Sequence, residues 1–195
     1  MQNISEFSAR KLADRLLCPE LLDAPMHSGV FVQTPSEGAS QKFIEDLATT
    51  LEARKVCVET VHANELVSED GLANFARRLL MRFAGHHERC NTVGAPTIAS
   101  AVYTCASHSP CHIALLLTGV EILQINHDSR VLKALKAARD SVNLEPNWGG
   151  RLLFVAACAP PGIAQMFVHD KTQAFYGAVD GTLAPDWQLA GGSSI

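Results

Sequence analysis

The sequence predicts an α/β domain, a three-layer αβα sandwich around a mainly parallel sheet of about five strands. Three observations point there. The runs Ile113-Ala114-Leu115-Leu116-Leu117 and Leu152-Leu153-Phe154-Val155-Ala156-Ala157-Cys158 are continuously apolar, as a strand covered on both faces must be. Strand-like runs alternate along the chain with segments of helical period, the order that gives a parallel sheet sandwiched by helices. Hydrophobic residues make up 47% and charged residues 18%, a balance that a compact domain uses and a disordered chain does not.

The elements follow in order. Residues 8–22 place Leu12, Leu16 and Leu17 at helical spacing, with Pro25 as a stop. Gly29-Val30-Phe31-Val32-Gln33 is a short apolar run that ends in the turn signal Thr34-Pro35-Ser36-Glu37-Gly38. Phe43, Leu47 and Leu51 then recur every four residues beside Ile44 and Ala48, an apolar helix stripe. Residues 55–61 alternate again and read as a second strand. Leu72, Phe75, Leu79 and Phe83 mark the next helix face, and residues 96–105 another helix with Ile98, Val102 and Cys105 on one side. After the strand at residues 112–117, Asp128 is expected to cap a helix that runs to Val142, with Leu132, Leu135 and Ala138 inward. Beyond the strand at residues 151–158, Pro160-Pro161-Gly162 opens a short helix containing Ile163, Met166 and Phe167. Phe175-Tyr176-Gly177-Ala178-Val179 is expected as the last strand. The implied organisation is an N-terminal helical extension over 1–28, an α/β domain over 29–180 and a flexible C-terminal tail over 181–195. Ligands on such sheets sit at the carboxyl ends of the strands, so the segments after the strands are where function belongs.

A formal charge of −4 gives no global field to draw the chain to nucleic acid or anionic lipid. Arg10, Lys11, Asp14 and Arg15 stand where a secretory signal would need its apolar core. No apolar run approaches the roughly 20 residues of a membrane helix, so a soluble, cytoplasmic protein is expected. Of the six cysteines, Cys57 and Cys158 lie in strand-like runs and read as small buried hydrophobes in a reducing compartment.

Ser28-Gly29-Val30-Phe31-Val32, a turn, and then Phe43-Ile44-Glu45-Asp46-Leu47 with Leu51-Glu52-Ala53-Arg54 resemble the opening of a family of bacterial AAA+ ATPases. Ala134-Leu135-Lys136-Ala137-Ala138-Arg139-Asp140 is similar to the helix after that family's acidic strand. Residues 151–158, Ile163-Ala164 and Ala174-Phe175-Tyr176-Gly177-Ala178 resemble its later strand, helix and FYG segment. The resemblance covers residues 12–185 and rests on order and spacing. It implies a phosphate-loop fold, an AAA+ core without the helical lid, and a family that assembles side by side.

The functional positions implied by the resemblance depart from the family's pattern. A phosphate loop reads G-x-x-x-x-G-K-[ST], with backbone N–H groups around phosphate, Lys on the β/γ-phosphates and Ser/Thr on Mg²⁺. The matching stretch is Gln33-Thr34-Pro35-Ser36-Glu37-Gly38-Ala39-Ser40. Gly38 and Ser40 are kept as weak, degenerate phosphate-binding residues; Gln33 replaces the first glycine and Ala39 the lysine. Glu37 adds negative charge beside the place for polyphosphate, and Lys42 lies three positions on, pointing elsewhere. The acidic strand should end in adjacent Asp and Glu and ends instead in Thr118-Gly119, with Glu121 two residues beyond. The strand before Pro160 offers only Cys158 to a γ-phosphate. With the family's lid and its arginine missing before Ile195, hydrolysis is not expected and no catalytic residue is assigned.

Histidine and cysteine cluster at His86, His87, Cys90, Cys105, His108, Cys111 and His112. Cys105-x-x-His108 could supply one pair of zinc ligands, with His87 and Cys90 as the other. The spacing matches no tight zinc framework, and unliganded loop or core residues are the ordinary reading. A cysteine nucleophile would need a thiol paired with a histidine in space, which no spacing specifies. Lys133, Lys136 and Arg139 step along one side of their helix as a solvated face. Trp148 and Trp187, in polar contexts, are the candidates for a protein contact.

The expectation is therefore a pseudo-ATPase without cofactor, acting as an interaction or scaffold module for a protein partner, either a related AAA+ subunit or a second copy. A nucleotide-binding sensor without turnover and a zinc-stabilised module are the alternatives.

Overall fold

The computed structural model describes residues 5–18, 29–68, 70–84, 95–108, 111–125, 129–145 and 150–184. In chain order the elements are β1 (Ser5–Phe7), α1 (Ala9–Leu16), β2 (Gly29–Gln33), α2 (Glu37–Glu52) and β3 (Cys57–His62). There follow α3 (Ala63–Leu66), α4 (Gly71–Leu79) with a π-turn over Leu80–Ala84, α5 (Ile98–His108), β4 (Ile113–Thr118) and α6 (Glu121–Ile125). The chain continues with α7 (Ser129–Asn143), β5 (Leu152–Cys158), α8 (Ile163–His169) and β6 (Val179–Leu183).

The strands form one sheet in the order β1-β6-β2-β5-β4-β3, and every pairing is parallel. That is one strand more than the five expected. The α/β class, the parallel sheet and the sandwich hold. The central strands β4 and β5 bury nearly every residue, because helices cover both faces.

Two apolar layers fill the sandwich. On one face Val30, Val32, Val58, Leu116 and Val155 meet α1 and α2 through Leu12, Leu16, Phe43 and Leu47. On the other, Phe31, Leu115, Leu117 and Phe154 meet α4, α5, α7 and α8. Strand alternation separates the two sets. Phe154 and Phe175 stack with centroids 4.5 Å apart, and Phe31 packs against both and against Phe167. Arg139 ends this stack, only 5% exposed, its guanidinium 5.3 Å from the Phe175 ring centre. Its charge is met by Asp140, which accepts from Arg139 Nε and Nη2 at 2.9 and 2.7 Å and from Lys136 at 2.6 Å. Arg139 is therefore a core residue, and the expected solvated stripe with Lys133 and Lys136 is not formed.

The outer elements differ from the expected boundaries. Ser5–Phe7 pairs with β6, and α1 packs on α2 in the first of the two apolar layers, so β1 and α1 are built into the sandwich and are no appendage. The last strand is Val179–Leu183, crossing the boundary drawn at 180. Phe175–Ala178 forms turns instead, with Gly177 at φ 80°. Phe175 reaches the core from that turn, and Gly29 leaves it room, since a Cβ there would come 3.1 Å from the ring. The helix expected to continue to Phe83 widens into the π-turn after Leu79. Pro25 and Asp128, expected as helix punctuation, lie outside the described residues.

Candidate functional site

The connection after β2 runs through α2 on one face of the sheet, while that after β5 runs through α8 on the other. Adjacent parallel strands whose connections leave to opposite faces open a crevice at their carboxyl ends, the usual ligand position in such folds. Here the crevice lies between Gln33 and Cys158, which face each other in the β2–β5 ladder.

Side chains bridge it. Gln33 Nε2 donates to the carbonyls of Cys158 and Ala159 at 2.9 and 2.8 Å. Thr34 N–H donates to the Cys158 carbonyl at 2.8 Å. The Thr34 hydroxyl lies 3.1 Å from that carbonyl and 3.2 Å from the carbonyl of Ser36. A hydroxyl has one hydrogen, so with Thr34 donating to a carbonyl, the 2.5 Å contact with Ser40 Oγ is a donation from Ser40. Ser40 is 1% exposed, and its hydroxyl is consumed inside the loop. The serine at the position where a phosphate loop holds Mg²⁺ instead closes the turn.

The helix start is likewise occupied by its own chain. Ser36 caps α2 by accepting from Ala39 N–H at 3.2 Å. Glu37, in the first turn, sets a carboxylate at the positive end of the helix, where an anion would otherwise be favoured. Ala39 is buried, so the lysine position is a wall residue. Gly38 keeps open space around it. Lys42 points away from the loop and pairs with Asp46 at 3.7 Å.

The carboxyl end of β4 is blocked from the neighbouring strand. Gly119 has φ 68°, and a Cβ on it would lie 2.3 Å from His62 Nε2, so the imidazole fills the space of an acidic side chain. His62 Nδ1 accepts from Asn64 N–H at 3.1 Å, fixing the ring. Its Nε2 lies 3.7 Å from Glu37, which links the end of β3 to the start of α2. Beside it, Gln41, Glu45, Thr60, Glu65 and Thr118 line a hollow of about 260 Å³. Hydrogen bonds from Arg78 and the His62 N–H outweigh desolvation and hold Glu65 below the usual carboxylate range.

Cys158 is fully buried. Burial, reinforced by the charge of Glu121, pushes its thiol pKa far up and so disfavours the thiolate that a nucleophile or a metal ligand needs. Glu121 Oε2 is itself buried without a hydrogen-bond partner among the described residues, a proximity to Cys158 that sequence spacing did not reveal. A cleft of about 460 Å³ opens over the bonds of Gln33 and Thr34 at the carboxyl ends of β5, β2 and β6, lined by Gln33, Thr34, Pro35, Ala159, Pro161 and Thr182 among others.

Of the four zinc candidates only the Cys105 side chain belongs to the described residues, among which no group of three or more His, Cys, Asp or Glu side chains could hold a metal. Cys105 is buried, its thiol 3.5 Å from the Leu79 carbonyl. His108 ends α5. His86, His87, Cys90, Trp148 and Trp187 lie outside the described residues.

No protein-family model and no curated protein sequence matches the chain. Solved structures do. A Walker-type ATPase of Pyrococcus abyssi superposes with a TM-score of 0.57 at 12% identity, over 93% of this chain and 55% of that one. The fold is that of a phosphate-loop nucleotide hydrolase. The Aeropyrum pernix ORC2 protein, solved in ADPNP–ADP complexes, gives 0.56 at 12% identity over 94% of this chain and 50% of its own. Drosophila ORC, solved bound to DNA, gives 0.55 at 14% identity over 90% and 45%. The chain thus spans about half the length of these proteins and has an AAA+-like core. No helix among the described residues is long and apolar enough to cross a membrane.

Proposed function

We propose that this chain is a catalytically inactive relative of the AAA+ ATPases that serves as a protein-interaction or scaffold module. One observation carries the reading: the turn that should cradle phosphate is knitted shut by Gln33, Thr34, Ser36 and Ser40, with Cys158 and Ala159 as acceptors. Buried polar groups that already have partners gain little from a ligand and lose bonds when one enters. The other departures point the same way. Ala39 offers no cation to a β/γ-phosphate, and His62 occupies the space at Gly119 where an acid would orient water. Removing one electrostatic stabiliser costs on the order of 10² to 10³ in rate, and here several are replaced together. Catalytic residues and a bound cofactor have no place in this reading.

The partner under this reading is a protein, either an AAA+ subunit or a second copy, with neither membrane nor nucleic acid involved, in a cytoplasmic setting. The nucleotides and DNA of the structural neighbours belong to those proteins. A nucleotide-binding sensor without hydrolysis is the second reading, favoured by the open space at Gly38 and the sixteen-residue helix behind it.

A thermal-shift titration with ATP or ADP and Mg²⁺ at millimolar levels, run beside a phosphate-release assay, separates them. No shift and no release supports the scaffold reading; a rise of several degrees without release favours the sensor. Release above background would overturn both.

A further inference from the structure

Cys57 opens β3 at the edge of the sheet, and its ladder partner on β4 is Ile113. Cys111 precedes Ile113 by two residues, at a bend immediately before β4. Cys57 and Ile113 pack on the same face of the sheet, and Cys111 lies two residues ahead of Ile113 at that end of the ladder. The backbones are tied there by Cys57 N–H donating to the His112 carbonyl at 2.9 Å. Burial first, and the neighbouring Cys111 thiol second, push the Cys57 thiol up, which sets the two side chains beside each other. Both are partly exposed, while Cys105 and Cys158 are buried. Two partly exposed thiols at one end of the same ladder have no part in the site described above.

We propose that Cys57 and Cys111 are a reversible redox modification site, closed to an intramolecular disulfide by hydrogen peroxide or by a low-molecular-weight disulfide. With peroxide, one thiol sulfur takes an oxygen as the O–O bond breaks, giving a sulfenic acid and one water. The second sulfur then attacks the first. The S–S bond forms, the S–O bond breaks, and its oxygen leaves as water with the second thiol's proton. Two thiols are oxidised and one peroxide is reduced to two waters. With a small disulfide, one cysteine sulfur displaces a small thiol to give a mixed disulfide, and the other cysteine displaces the second. A dithiol reductant reverses either route.

Closure would enclose the whole β3-to-β4 crossover, including α3, α4, the π-turn and α5, in one covalent loop. It would also pin the edge strand whose far end carries His62. The switch therefore acts on the element that blocks Gly119, although it stands independently of the proposed loss of hydrolysis.

The full-length reduced protein is exposed to a graded series of hydrogen peroxide or oxidised glutathione, alkylated with N-ethylmaleimide, and mapped by peptide mass spectrometry without reduction. The expected result is a Cys57–Cys111 cross-linked peptide lighter by two hydrogens than the two reduced peptides together. It should form at lower oxidant than any product at Cys18 and disappear on treatment with dithiothreitol. Cys57→Ser and Cys111→Ser should each abolish it. Oxidation that yields sulfinic acid, stable glutathione adducts or bonds to Cys18 or to a second chain, without the Cys57–Cys111 peptide, would overturn the proposal. The unsubstituted chain alone distinguishes these outcomes, whether or not the serine variants fold.

Discussion

Thr34 and Ser40 stand six residues apart, yet their hydroxyl oxygens meet at 2.5 Å inside the turn between β2 and α2. The contact uses the serine that a phosphate loop would turn toward a metal, and Thr34 spans the crevice to Cys158 as well. Thr34→Val keeps the shape and removes the hydroxyl, leaving Ser40 Oγ buried without its acceptor. A destabilisation of about 1–3 kcal/mol is expected. It should appear as a lower urea midpoint with an unchanged m-value. An unchanged midpoint would mean that the turn is not held by this bond.

The contact between His62 and Gly119 predicts a coupled pair. Gly119→Ala suffers twice: a side chain at φ 68° is disfavoured by roughly 1–2 kcal/mol, and its methyl meets the imidazole. His62→Ala should relieve the second penalty alone. In a double-mutant cycle, Gly119→Ala should therefore cost less in the His62→Ala background than in the parent. Equal costs in both backgrounds would show that the ring does not define the space.

Stability should fall as the pH drops below neutrality because of His112. Burial first, and the nearby Arg151 charge second, push its pKa below the ordinary value. The neutral ring accepts from Arg151 N–H at Nδ1, 3.1 Å away. Below about pH 6.5 the unfolded chain binds a proton there that the folded chain refuses. Stability is thus complete above that pH, declines as pH falls toward the folded-state value, and levels off below it. His112→Asn should flatten this part of the melting-temperature profile. The decline from Asp140 belongs to a lower window, because Lys136 and Arg139 outweigh desolvation and hold its pKa below the usual carboxylate value.

What the sequence disclosed and what it withheld follow from the range of the interactions. β2, β4 and β5 are legible because both faces are buried and their residues are apolar without a break. β1, with only Ser5-Glu6-Phe7, and β6, with Asp180 and Gly181 in it, carry no such pattern; β6 is a strand because it pairs with β2, and β1 because it pairs with β6. Phe175 misleads for the opposite reason: its apolar character serves the aromatic stack from a turn. At the site, the lost lysine and acids are local facts of spacing. Their replacements are not: the Gln33 amide meets carbonyls 125 and 126 residues away, and the Gly119 blockade comes from another strand. Arg139 reads as solvated because the chain near it shows no partner ring.

Asn143 offers a test of how β5 begins. Its amide donates to the Leu152 carbonyl at 3.0 Å and accepts from Leu152 N–H at 2.7 Å, imitating a ladder partner at the strand's first residue. Asn143→Ala strands both backbone groups in a buried place, at a cost of about 1–3 kcal/mol for each group left unpaired. Hydrogen exchange at the Leu152 amide should accelerate as the midpoint falls. A variant with lower stability but an unchanged Leu152 amide would place the loss elsewhere.

Restoring the lysine should not restore the enzyme. In Ala39→Lys the new side chain starts from a buried position, and the turn beside it remains closed by Gln33 and Thr34, so calorimetric titration with Mg-ATP should show no binding. Adding Gln33→Gly removes the amide that holds Cys158 and Ala159 and returns both glycines and the lysine to the loop; weak binding is expected to appear. Phosphate release should stay at background in both variants, because Thr118 carries no charge and His62 excludes a side chain at Gly119. Turnover in the double variant would mean that another carboxylate, with Glu121 the nearest in sequence, can orient water across the crevice, and the assignment of an inactive site would then fail at β4 and not at the loop.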